Sequence, residues 1–359
     1  MAYSEIYVDP SINANTGTGA VADPYGDLQF ALDSSSHDTT NGTRFNIKAG
    51  VEELLSSQLS FTGYGTTTYT RTAPLVFQGY TATAGDGGFG VVNLGGNRFI
   101  SNSNADFIAM VNMEMHNASN RVFSLDNDIL VYDCYFHDVW GPDADVRANY
   151  IDCRMELTGG GPVINNATNL FMSNCYVKYT GSSSNPIVTA QSGTIVNCIF
   201  DLTEAAVKNN TGISFTAATQ QNRVLGNTLL HIAGTGTGID IVGTGVVQGN
   251  IIEGFSGAGG IGVLSTGFAT ISKNAAHNNT TNYSLADDSL GVSDNENLVS
   301  SPLAKTGANT YGNLLNYFAP QDVGNVIGGL AYNKDKGAVQ SSGGGGGTTI
   351  NPSYYVGVL

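Results

Sequence analysis

Short runs in which apolar and polar residues alternate recur along the chain from about residue 105. Each run begins next to an asparagine or aspartate, and successive anchors lie 19 to 30 residues apart, with a mean of about 23. The anchors are Asn112, Asp133, Asp152, Asn174, Asn197, Asn227, Asn250 and Asn274. Alternation with a period of two is typical of β-strands, and a repeat in the low twenties fits one coil of a solenoid. The pattern therefore predicts an all-β solenoid.

The alternation also predicts which side chains point into the solenoid. The residue after each anchor is expected to face inward: Met113, Cys134, Cys153, Cys175, Cys198, Thr228, Ile251 and Ala275. The next inward set is Met115, Phe136, Met155, Val177, Phe200 and Leu230, whereas Glu114, Tyr135, Arg154, Tyr176, Ile199 and Leu229 are expected to face outward. A slip of one residue would bury the arginine, so the pattern fixes the register. Glu253 departs from it, because its position is an inward one.

All four cysteines occupy the same inward position in four consecutive coils. Small, soft side chains in that position are expected to pack as a ladder of free thiols in the core. No CxxC spacing supports a zinc or redox site, so we predict neither a metal nor a cofactor. The anchors themselves are expected to form a ladder at a bend, because short amides tolerate turn geometry and can hydrogen-bond from coil to coil.

Charge narrows the range of partners. The chain has 14 Lys and Arg against 29 Asp and Glu, which gives a net charge of −15. Nucleic acid and anionic membranes are bound by clustered cations that this composition lacks, so neither is an expected partner. No apolar run reaches the length of about 18 residues that a membrane-spanning helix needs. The first residues, MAYSEIYVDP, also lack the basic and apolar regions of a secretory signal peptide.

Several segments resemble the right-handed parallel β-helix proteins of the pectate-lyase superfamily. Residues 6–35 are similar to the opening of such chains, in which a short strand and a Gly/Asp loop precede a capping helix. The apolar face of that helix would consist of Leu28, Phe30, Ala31 and Leu32. FNIKAGVEE (45–53) and LVFQGY (75–80) resemble the first rungs, and Asp335, Lys336, Gly337 and Ala338 resemble a closing signature. The resemblance implies a single-stranded right-handed parallel β-helix over most of residues 5–340.

Four segments follow from this interpretation. They are an N-terminal cap region (1–44), the parallel β-helix (45–296), a closing segment (297–340), and a Gly-rich linker with an extended docking tail (341–359). The linker has the composition of a flexible chain. Because a detached apolar segment is a liability in water, the tail is expected to dock in cis or in trans. The residues expected to contact the docking surface are Tyr354, Tyr355, Val356 and Leu359.

A polar row stands four residues past the anchors: His116, His137, Glu156, Lys178, Asp201 and His231. Enzymes of the family place carbohydrate sites on such a sheet face. Tyr135, Tyr176 and Asp201 are candidate carbohydrate-binding residues, since aromatic rings stack on sugars. In a lyase, a base would remove the proton next to a uronate carboxyl group and a cation would stabilise the resulting charge. The candidates for these roles are Arg154, Glu156, Lys178 and His137. Alternatively, the row is an ordinary solvated face with weak ion pairs.

Three functions are compatible with these features. The favoured one is a structural virion protein of a tailed bacteriophage, which resembles tailspikes and β-helix capsid decoration (cement) proteins and has no evident catalytic centre. Such a protein would be made in the host cytoplasm without a signal peptide, form a homotrimer, bind other virion proteins and contact a surface polysaccharide. The alternative is an enzyme, a polysaccharide lyase, glycoside hydrolase or other depolymerase that acts on an acidic glycan. The third, a bacterial adhesion module, is disfavoured by the missing signal peptide.

Overall fold

A computed structural model describes residues 3–298, apart from residues 13–15, 61–68, 71, 102–106, 125–127, 143–146, 161–163, 218–221, 287–289 and 294. The described chain divides into two compact units. The first comprises the residues up to Gly193 with Ala205–Val207, and the second comprises Thr194–Glu204 with the residues from Lys208 onward. The predicted closing segment beyond residue 298 and the docking tail, including Tyr354, Tyr355, Val356 and Leu359, lie outside the described residues.

Short strands make up most of the first unit, whose described residues contain a single helix, α1 (Leu28–Ser34). Its strands are β1 (Ser4–Val8), β2 (Thr43–Lys48), β3 (Glu52–Leu54), β4 (Leu75–Tyr80), β5 (Gly90–Asn93), β6 (Ile100–Ser101), β7 (Phe107–Val111), β8 (Met113–His116), β9 (Phe123–Ser124), β10 (Asp128–Tyr132), β11 (Tyr135–Val139), β12 (Arg147–Ile151), β13 (Arg154–Leu157), β14 (Ile164–Ala167), β15 (Asn169–Ser173), β16 (Tyr176–Tyr179) and β17 (Val188–Ala190).

The described part of the second unit consists of strands and their connections. Its strands are β18 (Gly193–Val196), β19 (Ile199–Leu202), β20 (Ile213–Phe215), β21 (Asn222–Leu225), β22 (Thr228–His231), β23 (Thr237–Ile241), β24 (Gly245–Gln248), β25 (Ile251–Glu253), β26 (Ile261–Ser265), β27 (Ala269–Ser272), β28 (Ala275–His277), β29 (Thr281–Leu285), β30 (Leu290–Ser293) and β31 (Glu296–Leu298).

Strands from successive coils lie side by side in each unit and pair in parallel. In the first unit the strand orders are β1-β2-β4-β7-β10-β12-β15, β3-β5-β8-β11-β13-β16, β14-β17 and β6-β9. In the second unit they are β18-β21-β24-β27-β30, β19-β22-β25-β28-β31 and β20-β23-β26-β29. We call the sheet that contains β11 in the first unit sheet B. The predicted all-β parallel β-helix is confirmed.

The interior of the first unit follows the predicted alternation. Met115, Phe136, Met155 and Val177 lie directly opposite one another on neighbouring strands of sheet B, and each is almost completely buried. Aromatic rings continue the core, with centroid separations of 5.1 to 6.4 Å along the series Phe45, Phe77, Phe99, Phe123 and Phe136. Burial of such large apolar side chains stabilises the folded chain.

The four cysteines are free and buried, as the repeat predicts. Each thiol donates to the carbonyl oxygen two residues earlier, over 3.2 to 3.4 Å, in Cys134, Cys153, Cys175 and Cys198. Burial raises the pKa of Cys134 to about 12. Because the thiolate is the reactive form of cysteine, these side chains are inert core residues.

In the first unit the anchors adopt the left-handed backbone conformation that ends one strand and starts the next. Asn112, Asp133, Asp152 and Asn174 have φ angles between 49° and 55°. Asparagine and aspartate tolerate this conformation better than other residues with a side chain. The amide of Asn174 also donates to Oδ1 of Asp152 over 3.0 Å, which links two successive coils.

In the second unit the predicted anchor Asn197 takes the left-handed turn, with a φ angle of 57°, but the later anchors Asn227, Asn250 and Asn274 are wrong by one residue. The left-handed position is taken by Gly226, Gly249 and Lys273, with φ angles of 63°, 66° and 57°. Thr228 pairs with Ile199, so Asn227 lies opposite Cys198 at an inward position. As a consequence the predicted orientations change: Leu229 is buried, whereas Leu230 and Glu253 are half-buried. Glycine adopts positive φ without steric cost, so the turns at Gly226 and Gly249 do not need an asparagine.

The displaced asparagines form a buried amide ladder. Nδ2 of Asn227 donates to Oδ1 of Asn250 over 3.1 Å, and the pairs Asn250–Asn274 and Asn274–Asn295 repeat this bond at 2.9 Å. The Nδ2 atoms of Asn227, Asn250 and Asn274 also donate to backbone carbonyls over 2.9 Å. The ladder predicted at the bends is therefore present, but in this unit it lies inside the coils.

Helix α1 is the predicted N-terminal helix, and it spans seven residues. The side chain of Asp27 caps it by accepting from the backbone N–H of Phe30, and Leu28, Ala31 and Leu32 are buried. The buried carboxylate of Glu53 accepts the N–H of Leu28 over 2.9 Å and so ties the helix to β3. Three of the four predicted apolar residues are thus buried, whereas Phe30 is half-buried.

Candidate functional site

The outward face of sheet B brings four of the predicted polar residues into one row. His116, His137, Glu156 and Lys178 lie directly opposite one another on the neighbouring strands β8, β11, β13 and β16. Adjacent strands of a sheet are separated by about 4.8 Å, so each side chain reaches its neighbours in the row. We call these four residues the polar row. The sequence predicted it because each of these residues stands four positions after an anchor.

A second row lies two residues earlier on the same strands. It consists of Glu114, Tyr135, Arg154 and Tyr176, which are also directly opposite one another. Arg154 is exposed, and the other three are half-buried. The sequence thus predicted the outward orientation of this row correctly, because the strands of sheet B keep strict alternation.

Glu156 is the centre of the contacts between the two rows. Its Oε1 accepts from the guanidinium of Arg154, with Nε at 2.8 Å, and its Oε2 accepts from the hydroxyl of Tyr135 at 3.2 Å. The Arg154 guanidinium also lies 5.1 Å from the centroid of the Tyr135 ring. The hydrogen bond from Arg154 is the largest of the influences that lower the pKa of Glu156, and Lys178 contributes a smaller one through its charge. Glu156 is therefore an ionised carboxylate with both oxygens engaged.

Two imidazoles stack at the other end of the polar row. The rings of His116 and His137 are 4.9 Å apart and nearly parallel, with 7° between their planes. Nε2 of His116 lies 2.9 Å from Oε2 of Glu52, and Nε2 of His137 lies 3.2 Å from Oε1 of Glu114. The ring of Tyr135 stacks on His137 at 4.7 Å. Each imidazole thus has a carboxylate partner, as an ordered polar surface requires.

An open depression lies where the strands of sheet B end. Its lining consists of His137, Asp138, Glu156, Leu157, Thr158, Lys178 and Thr180. The sequence did not single out Asp138, Thr158 or Thr180, nor Glu52 from β3. The adjacency of Asp138 to His137 was the available signal, but the positions of the two threonines depend on the backbone after the strands.

Asp201 and His231, the other two residues of the predicted row, belong to the second unit. Asp201 accepts from the backbone and the hydroxyl of Thr203, over 3.0 and 2.6 Å, in a local turn. The prediction that His231 faces outward is wrong, because the one-residue shift of the anchors places it opposite the buried Leu202. His231 is 4% exposed, and burial is the main cause that lowers its pKa to about 4.

The side chains of this surface are groups that donate or accept hydrogen bonds. Within the described ranges, no set of three His, Cys, Asp or Glu side chains is arranged to hold a metal ion. Among the described elements, no helix has the length and apolarity to cross a membrane. Carboxylates, imidazoles, hydroxyls and an ammonium group are grouped on a flat sheet face, next to tyrosine rings.

The likeness of this chain to known proteins is weak. No family model matches the chain, and no curated protein matches it. Two crystal structures of the pectin methylesterase from Aspergillus niger, in deglycosylated and penultimately deglycosylated forms, are similar to it. The identity is 11%, 84% of this chain and 92% of that chain are covered, and the TM-scores are 0.38 and 0.37. At this level of likeness nothing about activity carries over.

Proposed function

We propose that the chain is a structural β-helix protein that binds a surface polysaccharide on the outward face of sheet B without cleaving it. The observation that supports the proposal is the polar row, which borders an open depression lined by Thr158 and Thr180. Sugars present many hydroxyl groups, and carboxylate, imidazole, hydroxyl and ammonium groups are their hydrogen-bond partners. The face is open and extended, which suits a polymer rather than an enclosed small molecule.

Binding is favoured over cleavage because Glu156, one of the candidates for the base, has both carboxylate oxygens engaged. A lyase base must accept a proton from carbon, and an efficient general base has a pKa near the working pH. The pKa of Glu156 is lowered, and its two oxygens accept from Arg154 and Tyr135. The same contacts engage Arg154, the residue that would stabilise the developing charge. The pair is therefore arranged as a fixed part of the surface.

For the setting of this surface we propose the virion of a tailed bacteriophage, in which the chain assembles as a homotrimer with other virion proteins. The support comes from the acidic composition and from a β-helix whose four described cysteines are buried and free. Because these cysteines form no disulfide bonds, the chain does not need an oxidising compartment to fold, which agrees with folding in a host cytoplasm.

The test is direct binding to purified bacterial surface polysaccharides, followed by a comparison of variants. Lys178→Ala and His137→Ala each remove one member of the polar row and are expected to weaken binding about tenfold, or roughly 1.4 kcal/mol. Arg147→Ala is the matched control, because it removes an exposed cation that pairs with Asp128 elsewhere in the first unit. Its binding is expected to stay within about twofold of the wild type.

Two results would contradict the proposal. Absence of binding to every polysaccharide, by a chain whose fold is intact in circular dichroism, would remove the glycan-binding function. The appearance of shortened or unsaturated fragments after incubation would instead assign the depolymerase function. Mass spectrometry of the incubated polymer distinguishes the two, and we expect it to find the polymer unchanged.

A further inference from the structure

We propose that the polysaccharide is uncharged and that Glu156 determines this specificity by neutralising the cations of the face. The inference rests on the proposed function, because it assigns a class of ligand to the same surface. It starts from the charges that sheet B presents around the polar row. Four carboxylates, namely Glu52, Glu114, Asp138 and Glu156, face two permanent cations, Arg154 and Lys178. An anionic polymer would meet a face with an excess of negative charge.

The cation Arg154 is already paired with a carboxylate of the protein. Arg154 donates to Glu156 through Nε and through one of its terminal nitrogens. Both bonds reach the same oxygen, Oε1, so two of the guanidinium N–H groups that could bind the carboxylate of an acidic sugar are already used by Glu156.

The positive charge of Lys178 is also compensated by Glu156. It lies directly opposite Glu156 on the neighbouring strand, and its charge contributes to the lowered pKa of that carboxyl. An anionic ligand that approached Lys178 would therefore also approach the ionised Glu156. Like charges brought together at an interface weaken binding, so this arrangement disfavours an acidic partner.

The two imidazoles of the polar row lie among these carboxylates. Nε2 of His116 lies beside Glu52, and the two ring nitrogens of His137 lie beside Glu114 and Asp138. Each ring is thus bordered by carboxylates that would repel an acidic sugar. By contrast, the same carboxylates accept hydrogen bonds from the hydroxyl groups of a neutral sugar, as do Thr158 and Thr180 at the edge of the depression.

The first test compares neutral with acidic polymers of similar length on the wild-type chain. Mannan and dextran are suitable neutral probes, and polygalacturonate and alginate are suitable acidic ones. We expect at least one neutral polymer to bind about tenfold more tightly than both acidic ones, a difference of roughly 1.4 kcal/mol. Equal or tighter binding of an acidic polymer would overturn the specificity and leave the glycan-binding function standing. Absence of binding to all four, and to the surface polysaccharides tested above, would overturn both.

The second test changes the residue that is proposed to set the specificity. Glu156→Gln keeps the size of the side chain but releases the charge of Arg154 and Lys178, so binding of polygalacturonate is expected to rise about tenfold. Glu5→Gln is the matched control, since Glu5 pairs with Arg44 on another sheet of the first unit. It is expected to leave the binding of acidic polymers unchanged. A Glu156→Gln chain that melts like the wild type and gains no affinity for acidic polymers would overturn the role of Glu156.

Discussion

At the scale of single residues, two of the left-handed turns in the first unit contain an aspartate, although an asparagine could adopt the same turn. Asp133 and Asp152 occupy adjacent turns, with Asn112 and Asn174 before and after them. Burial raises the pKa of Asp133, and burial is also the main cause that raises the pKa of Asp152 to about 6, with a smaller contribution from the charge of Asp133. An ionised Asp152 therefore destabilises the folded chain at neutral pH.

Replacement of Asp152 by asparagine is expected to stabilise the first unit. The folded pKa of Asp152 lies above its unfolded value, so ionisation costs stability as the pH rises through about 6. The rise corresponds to at most about 3 kcal/mol, and screening of this partly exposed carboxyl reduces the expected gain at pH 8 to about 1–2 kcal/mol. Below about pH 4 the aspartate is protonated, and the gain should vanish.

Urea unfolding of Asp152→Asn at pH 8 and pH 4 measures this difference. Asp33→Asn, at an exposed position, serves as the control that should change stability little at either pH. An equal stability change of Asp152→Asn at both pH values would contradict the role assigned to its charge.

At the scale of elements, the alternation in the sequence was sufficient to predict which side chains face inward wherever an Asn or Asp itself takes the left-handed turn. It predicted the buried row with Phe136 and the outward row with Arg154, because the coils from Asn112 to Asn174 have the same turn. It failed after Asn197, where Gly226 takes the turn and moves Asn227 into the core. The 30-residue spacing from Asn197 to Asn227 and the inward position predicted for Glu253 were the available signals.

The alternation also predicted only part of the candidate site. His137, Glu156 and Lys178 follow from the register of sheet B, and the structure places them in one row. The side chains that complete the depression, Thr158 and Thr180, follow the strands and do not belong to the alternation. Their positions depend on how the backbone leaves each strand, which a two-residue period does not describe.

The amide ladder of the second unit makes a testable contribution to stability. Asn250→Ala removes the acceptor of the Asn227 side-chain and backbone N–H groups and the donor to Val224 and Asn274. Buried polar groups left without partners cost about 1–3 kcal/mol each, so a loss of about 2–4 kcal/mol is expected.

Thermal or urea unfolding of Asn250→Ala checks this value. Asn209→Ala, which changes an exposed asparagine of the same unit, should alter the unfolding free energy by less than about 0.5 kcal/mol. A similarly small change for Asn250→Ala would show that the ladder is not a stabilising element.

At the scale of the whole molecule, stability comes from the apolar interior of the coils and little from surface ion pairs. The Arg154–Glu156 pair is representative, because its side chains are 61% and 31% exposed. Pairs of this kind contribute about 0–1 kcal/mol to stability. The importance of this pair therefore lies in the charges that it places on the outward face of sheet B. The net charge of −15 acts in the same direction as that pattern and disfavours acidic ligands.

The proposed assembly predicts the mass of the protein in solution. Light scattering coupled to size-exclusion chromatography should give roughly three times the chain mass of 37.4 kDa. A chain truncated after Gln340 should give a smaller assembly if the tail clasps a neighbouring subunit. A monomer at all concentrations, with and without the tail, would contradict the homotrimer.

The central claim is that the outward face of sheet B binds a polysaccharide. A crystal structure of the chain with a bound neutral oligosaccharide tests it most directly. The account predicts sugar density over the depression, within hydrogen-bond distance of His137, Glu156 or Lys178. Sugar bound on another face, with the polar row unoccupied at saturating ligand, would contradict it.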